Sequence, residues 1–259
     1  MNSFRRHEAI MKILLSQHEA TVAELSATLQ VTGKTIREDL ARLEEKGLLT
    51  RVHGGAILAR SDQFGILSPR EATDGQSAER AEAAERALAY IRENEIVALD
   101  GGRTMLELAR KLANRPLTVI TNDLYVINEL TRREEIRLVV PGGYRVRNML
   151  AGSDAANFVK GLNIDKAFLS ATCVHWETGF SVYTSDFIDF KRALLQTAKT
   201  AYVIADHTKF GRNALRTFAA LNEVEAIITD SGLSSAIAAK IRAAGAKVDC
   251  HTKSGGIQE

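Results

Sequence analysis

The amino-acid sequence predicts an α/β protein in two parts: a winged helix-turn-helix over residues 1–58 and a parallel α/β domain over 79–259, with a linker over 59–78. Three observations predict it. Residues 4–46 carry three short amphipathic helix patterns with cap signals between them, and a glycine-centred apolar hairpin follows at once. Residues 59–78 are rich in Ser, Asp, Gly and Gln, include Pro69, and show little apolar periodicity. From Glu95 onward, short apolar runs alternate with helical patterns of 8–14 residues, the signature of a parallel sheet.

The first helix is expected over Phe4–Gln17, where Phe4, Ile10, Ile13 and Leu14 share one face. Thr21-Val22-Ala23-Glu24 is a capping box that opens a second helix, with Val22, Leu25 and Leu29 on its core side. Thr32 offers the N-cap of a third helix running to about Lys46, and Gly47 stands at the left-handed C′ position. In this third helix Ile36, Leu40 and Leu43 form the buried stripe. Lys34, Thr35, Arg37, Glu38 and Arg42 occupy the opposite face. Two apolar runs around His53-Gly54-Gly55 then predict a hairpin.

Two short helices joined by a tight turn, the second with a polar and basic first turn, form an element that enters the DNA major groove. Thr32 and Thr35 suit phosphate contacts beside helix N-terminal amides, and Lys34, Arg37 and Arg42 reach phosphates or base edges. A hairpin behind that helix is a wing, which brings Arg51, His53 and Gly54 to the DNA backbone. A merely structural helical subdomain would not need this ordered series of caps, basic turn and glycine hairpin.

In the second part, Ser77 is expected to cap a helix over about 79–93. Strands are expected at Ile96–Leu99, Leu117–Ile120, Ile136–Val140, Lys166–Ser170, Ala201–Asp206, Ala226–Asp230 and Lys247–Asp249. Helices are expected at Met105–Leu112, Leu124–Arg132 and Phe187–Gln196. Polar residues gather where strands end: Asp100-Gly101-Gly102-Arg103-Thr104, Thr121-Asn122-Asp123, Gly142-Gly143 and Asp206-His207-Thr208-Lys209. Ligands of open α/β sheets bind at the carboxyl ends of strands. Glycines free backbone amides for an anion, a helix N-terminus follows Gly102, and Lys209 adds a charge, so the combination fits a phosphate. Trp176 reads either as a lid over the ligand or as a surface-loop residue. Asp186, Asp189 and Lys191 read as cap and solvated face.

Composition excludes several classes. The 259 residues are 45% hydrophobic and 25% charged, with a net charge of +2, so bulk electrostatics do not announce a nucleic-acid partner. Residues 1–60 hold nine Lys/Arg against seven Asp/Glu, so DNA contact depends on where the charges sit. No apolar run reaches the ~18 residues of a membrane span, and the amphipathic N-terminus lacks a signal peptide's pattern, so a cytoplasmic protein is expected. Cys173 and Cys250 are too few and too far apart for a disulfide framework or a zinc site. They are expected to be reduced and buried, and no metal or cofactor is expected.

The run Val31-Thr32-Gly33-Lys34-Thr35-Ile36-Arg37-Glu38-Asp39-Leu40, with Leu43-Glu44-x-x-Gly47 and Arg51-x-His53-Gly54-Gly55-Ala56, resembles the N-terminal signature of the DeoR-type bacterial transcription regulators. That family usually has a second arginine where this chain has Glu38, which bears on the operator sequence. The strand-end loops match the family as well, including Asp206-His207-Thr208-Lys209-Phe210-Gly211. The resemblance covers nearly the whole chain. It implies a C-terminal domain related to ribose-5-phosphate isomerase and the coenzyme A transferases, binding a sugar-phosphate inducer. It also implies a homo-oligomer, a dimer or tetramer, on double-stranded operator DNA, most commonly as a repressor of a sugar or polyol catabolic operon. An activator would look the same. Carried over, Asp100, Gly102, Thr104, Thr121, Asn122, Gly142, Gly143, Asp206 and Lys209 line the effector site, and Gly101, Arg103 and Asp123 of the same loops are further candidates. Arg103 replaces a small hydroxyl residue there, and Ser170-Ala171-Thr172-Cys173-Val174 lacks the family's glycines. Two other functions compete: an isomerase using Lys209 with Asp100 or Asp206, which lacks any clear further general base, and an architectural DNA-binding protein, which needs no convergent polar loops.

Overall fold

The computed structural model describes residues 2–45, 48–58 and 78–250. The expected Lys46 helix end, the Gly47 C′ position, the Ser77 cap and the linker as far as residue 77 lie outside them.

Helix α1 (Ser3–Gln17), strand β1 (Glu19–Thr21), helix α2 (Val22–Leu29) and helix α3 (Gly33–Glu45) lead to the hairpin of β2 (Leu49–Val52) and β3 (Gly55–Leu58). The capping box forms as expected: the Thr21 side chain accepts from the Glu24 amide, and Glu24 accepts from Thr21 N at 2.8 Å. Thr32 caps α3, its Oγ1 accepting from Thr35 N at 3.2 Å. Ile36, Leu40 and Leu43 are buried with Ile10, Met11, Leu14 and Leu25, each contributing about 1.5–3 kcal/mol relative to an exposed position. Strand β1 is an addition to the expected elements. It pairs with β3 to complete a three-stranded wing sheet, order β1-β3-β2, and Gly55 is required there because a Cβ would lie 2.4 Å from the Ala20 carbonyl oxygen.

The second part is built on seven parallel strands: β4 (Ile96–Leu99), β5 (Leu117–Thr121), β6 (Ile136–Val139), β9 (Ile164–Ser170), β12 (Ala198–Ile204), β14 (Ala226–Ile228) and β15 (Val248–Asp249). Their order is β15-β14-β12-β9-β4-β5-β6. Alternation along each strand divides the core in two. Val97, Leu99, Val119, Phe168 and Tyr202 pack with α4 (Ala78–Leu88), α5 (Arg103–Lys111) and α6 (Leu124–Leu130) on one face. Ala98, Ile120, Ala167, Leu169 and Val203 pack with α7 (Ser153–Lys160), α8 (Ile188–Thr197) and α9 (Ser235–Ala243) on the other. Helix α4 is shorter than expected and ends at Leu88.

Two antiparallel units lie beyond the expected elements: the hairpin β7 (Tyr144–Val146)–β8 (Met149–Ala151), and a sheet of β10 (Cys173–His175), β11 (Gly179–Val182) and β13 (Arg216–Ala219). Cys173 of β10 and Tyr183, just past β11, belong to the same apolar cluster as the N-terminal helices, so the two parts pack together here. Cys173 is buried as expected, whereas Cys250 is only half-buried; both are free thiols. Among the described residues, no helix is long and apolar enough to cross a membrane.

Candidate functional site

The chain runs β4, β5, β6 toward one edge of the sheet and then returns to place β9 on the other side of β4. This reversal opens a crevice at the strand carboxyl ends, where α/β sheets hold ligands. A cavity lies there. Gly101, Gly102, Arg103 and Thr104 line it from the end of β4, Ser170, Ala171 and Thr172 from β9, and Ala205, Asp206 and Lys209 from β12. Arg80 of α4 joins from the side, and Met149, Val182, Tyr183, Thr184 and Phe187 supply most of the apolar wall.

The loop after β4 is shaped for an anion. Gly102 has φ 116°, a conformation suited to glycine, and it leads into α5 without any side-chain cap. The positive end of the α5 dipole thus stands beside the cavity, with the Gly102 amide itself donated to Asp123. Arg103 and Lys209 bring two cations to the same cavity. On the β12 side, a 3-10 turn at His207–Lys209 is capped by Asp206, whose Oδ1 accepts from Thr208 N at 3.1 Å. His207 is anchored from behind, its Nδ1 2.7 Å from Asp230 Oδ2.

Lys191 lines the cavity, whereas Asp100, expected at the site, does not and is paired with Lys191 beside it. Asp100 is fully buried and Lys191 only 4% exposed. Lys191 Nζ pairs with Asp100 Oδ2 and donates to the Ser170 carbonyl at 2.8 Å and to Ser170 Oγ at 3.1 Å. Ser170 donates to the same carboxylate oxygen through its amide at 3.0 Å and its hydroxyl at 2.8 Å. Three acceptors use the three protons of the ammonium, so Lys191 braces the β9 loop. Expecting Lys191 on a solvated face was wrong: α8 turns it inward over the strand ends, beside the Phe218 ring. Of its neighbours, Asp186 pairs with Lys12 at 2.9 Å.

The remaining expected effector residues stand elsewhere. Thr121, Asn122 and Asp123 are buried and Gly142 and Gly143 exposed, and none lines the cavity. The strand order is the reason, since β5 and β6 lie on the far side of β4 from β9. Asp123 Oδ2 accepts from Gly102 N at 3.0 Å and from Asn148 Nδ2 at 2.6 Å, while Oδ1 caps α6. Asn122 Nδ2 donates to the Leu150 carbonyl at 2.8 Å. This loop clasps the β7–β8 hairpin and holds Met149 over Gly101, where a Cβ would come 2.5 Å from its methyl carbon. Burial pushes the Asp123 carboxyl up to about 6, outweighing the N–H donors of Gly102, Val126 and Tyr125. Gly143, at φ 140°, lets the hairpin close against the Ala151 carbonyl. Trp176 stacks on His175 with Lys240 Nζ 4.3 Å above its ring and does not reach the cavity. Ser170 stands in the strand-end segment already set apart in the sequence, whereas Arg80, Tyr183, Thr184 and Phe187 were not singled out as site residues because their positions carry no glycine or strand-end signature. Burial raises the Tyr183 hydroxyl and the Cys173 thiol, so both stay protonated at neutral pH.

On the N-terminal part, Thr32, Lys34, Arg37, Glu38 and Arg42 are exposed along α3, and Thr35 is half-buried behind Thr32. His53 and Gly54 form the exposed wing turn, Gly54 at φ 83°. Arg51 is engaged: its Nε lies 2.6 Å from Glu44 Oε2. An exposed pair of this kind contributes little against a phosphate contact. Asp39, not singled out in the sequence, lies on the buried face of α3. It pairs with Arg6 and lies 2.9 Å from His7 Nε2, which fixes α3 to α1.

Together these parts define a helix-turn-helix protein carrying an α/β domain with a cavity at the sheet's switch point. A family model described as the DeoR-like helix-turn-helix domain matches residues 6–62, and one described as the DeoR C terminal sensor domain matches residues 75–231. The chain belongs to the DeoR family of DNA-binding transcription regulators. It is 32% identical to the HTH-type transcriptional regulator GolR of Listeria innocua over 96% of this chain and 98% of that protein. It is 29% identical to the glycerol-3-phosphate regulon repressor of Escherichia coli K12, over 89% of this chain and 92% of that one. Among solved structures, ribose 5-phosphate isomerase A of Methanocaldococcus jannaschii overlaps with a TM-score of 0.38 at 16% identity, over 51% of this chain and 53% of that one. That likeness is too slight to bear on function. The family places the chain among regulators and not among enzymes.

Proposed function

We propose that this protein is a cytoplasmic homo-oligomeric repressor of a sugar or polyol catabolic operon, whose hold on operator DNA is controlled by a phosphorylated sugar or polyol. The observation that carries this reading is the convergence of the α5 N-terminus, Arg103 and Lys209 on one cavity at the switch point. The phosphate sits at the positive end of α5 between Arg103 and Lys209. Thr104, Ser170, Thr172 and Asp206 face the hydroxyls, while Met149, Val182 and Phe187 pack on the carbon skeleton. The regulon named for the Escherichia coli relative concerns a phosphorylated polyol, which supports this ligand class. Thr32, Lys34, Thr35, Arg37, Glu38 and Arg42 read operator DNA, with Arg51, His53 and Gly54 on its backbone. A homo-oligomer sets two such helices on half-sites.

The experiment is thermal-shift screening of the full chain against sugar and polyol phosphates and their unphosphorylated parents, repeated with Lys209→Ala and Arg103→Ala. A ligand of the folded state raises the melting temperature in proportion to the logarithm of its excess over Kd. The expected result is a phosphorylated compound that stabilises the wild type and not Lys209→Ala. A panel without any such compound overturns the sensing role. Arg37→Ala is expected to abolish specific DNA retardation without changing the melting temperature, and an unchanged footprint moves recognition to other residues.

A further inference from the structure

The stretch from Tyr183 to Phe187 is a wall with two sides. Tyr183, Thr184 and Phe187 line the cavity. Ser185 and Asp186, between them in the chain, bond to α1 of the DNA-binding part. Ser185 donates its amide to Glu8 Oε1 at 3.1 Å and its hydroxyl to the same oxygen. Lys12 Nζ lies 2.9 Å from Asp186. Tyr183 itself is buried in the apolar cluster that includes Ile10 and Met11 of α1. Helix α1 is in turn clamped to the recognition helix, since Arg6 and His7 both hold Asp39.

We propose that residues 183–187 are the link through which occupancy of the cavity alters the hold on α1 and thereby the affinity of α3 for DNA. This rests on the reading of the cavity as an effector site. Five consecutive residues cannot move independently, so a ligand that displaces or braces Tyr183 and Phe187 acts on Ser185 and Asp186 as well. The wall also has room to move. Thr184 and Phe187 border a second cavity on the α1 side, lined by Lys12, Ser16 and Arg147 among others. Well-packed interiors leave few such voids, and a thin wall between two of them, held to α1 by a few polar pairs, has space to shift between arrangements, as coupling requires. Arg147 adds a bias. Burial pushes its guanidinium down to about 10, partly offset by Asp186, so a shift of Asp186 changes how well that charge is compensated.

The test uses the full chain and DNA enriched by repeated rounds of binding to it. DNA affinity is measured with and without glycerol 3-phosphate, ribose 5-phosphate and the other compounds of the panel, for the wild type, for Glu8→Ala/Lys12→Ala and for Asp186→Ala. A probe is expected to change the wild type's DNA affinity by about fivefold or more. In both variants the same probe should raise the melting temperature as in the wild type, while its effect on DNA affinity falls to less than about twofold. Variants that keep the wild-type factor overturn the link and place the coupling elsewhere, such as along α4 through Arg80. Variants that lose the thermal response also overturn it, because the wall is then part of the binding site alone. If no probe alters the melting temperature or DNA affinity of the wild type, the effector reading itself fails and the link fails with it.

Discussion

Replacing Lys191 with methionine removes the ammonium that faces the Asp100 carboxylate while keeping a side chain of similar length. The arrangement sets the size of the effect. The ammonium, the Ser170 amide and the Ser170 hydroxyl all converge on Oδ2 of Asp100. Oδ1 is buried without a hydrogen-bond partner among the described residues. Without Lys191 a fully buried carboxylate keeps two neutral donors and no ion pair. Breaking a buried pair from one side costs about 3–5 kcal/mol, because the remaining charge stays desolvated. For a chain of this size that corresponds to a melting temperature lower by roughly 6–20 °C. Urea unfolding of the wild type, Lys191→Met, Asp100→Asn and the double variant measures it, and the cycle isolates the pair. The double variant should be destabilised by less than the sum of the two single losses. A loss below about 1 kcal/mol for Lys191→Met, or strict additivity, refutes a buried pair that braces the Ser170 loop.

Three further outcomes follow from the same geometry. Gly143→Ala should destabilise by about 1–3 kcal/mol, since its φ of 140° is strained for alanine and the new Cβ would lie 2.3 Å from the Ala151 carbonyl oxygen. Gly142→Ala, with open space around it, should stay within about 0.5 kcal/mol in the same denaturation assay; equal stability with equal loss of ligand binding would instead make both glycines effector contacts. Thr32→Ala removes the cap of α3 and should cost about 1 kcal/mol, read as the loss of helix stability in thermal melts. Asp123 sets a pH dependence: its folded-state value of about 6 lies above the ordinary 3.8, so its ionised form is disfavoured in the fold. The penalty is full above pH 6 and disappears as the pH falls toward 4, which amounts to about 3 kcal/mol across that window. Asp123→Asn should therefore flatten the rise in melting temperature between pH 7 and 5, and parallel curves for the two proteins would count against it.

What the sequence made legible were the local signals. The Thr21–Glu24 box and the Thr32 cap each depend on residues three apart, and both helices begin where those signals say. Strands β4 and β5 are apolar runs bounded by Glu95, Pro116 and polar strand ends, and they fall within one residue of expectation. Strand order was not legible, and this is where the expected site went astray. Four strand-end loops look alike in sequence, yet only those after β4 and β12 join the β9 loop at the cavity. The Thr121–Asp123 loop, on the other side of β4, became a brace for Gly102 and the β7–β8 hairpin. Lys191 and Asp39 were missed for one reason. A charged residue in an amphipathic helix reads as solvated, and burial with a partner distant in sequence becomes visible only when Asp100 meets α8 and Arg6 meets α3.

In the function proposed above, the cavity recognises a phosphorylated ligand and this recognition governs DNA binding. The most direct measurement is titration of the DNA-bound full chain with a phosphorylated sugar or polyol and, in parallel, with its unphosphorylated parent, for wild type and Lys209→Ala. One phosphorylated compound is expected to change DNA affinity in the wild type, while its parent does not and Lys209→Ala loses most of the response. Equal responses to compound and parent, or an undiminished response in Lys209→Ala, would contradict it.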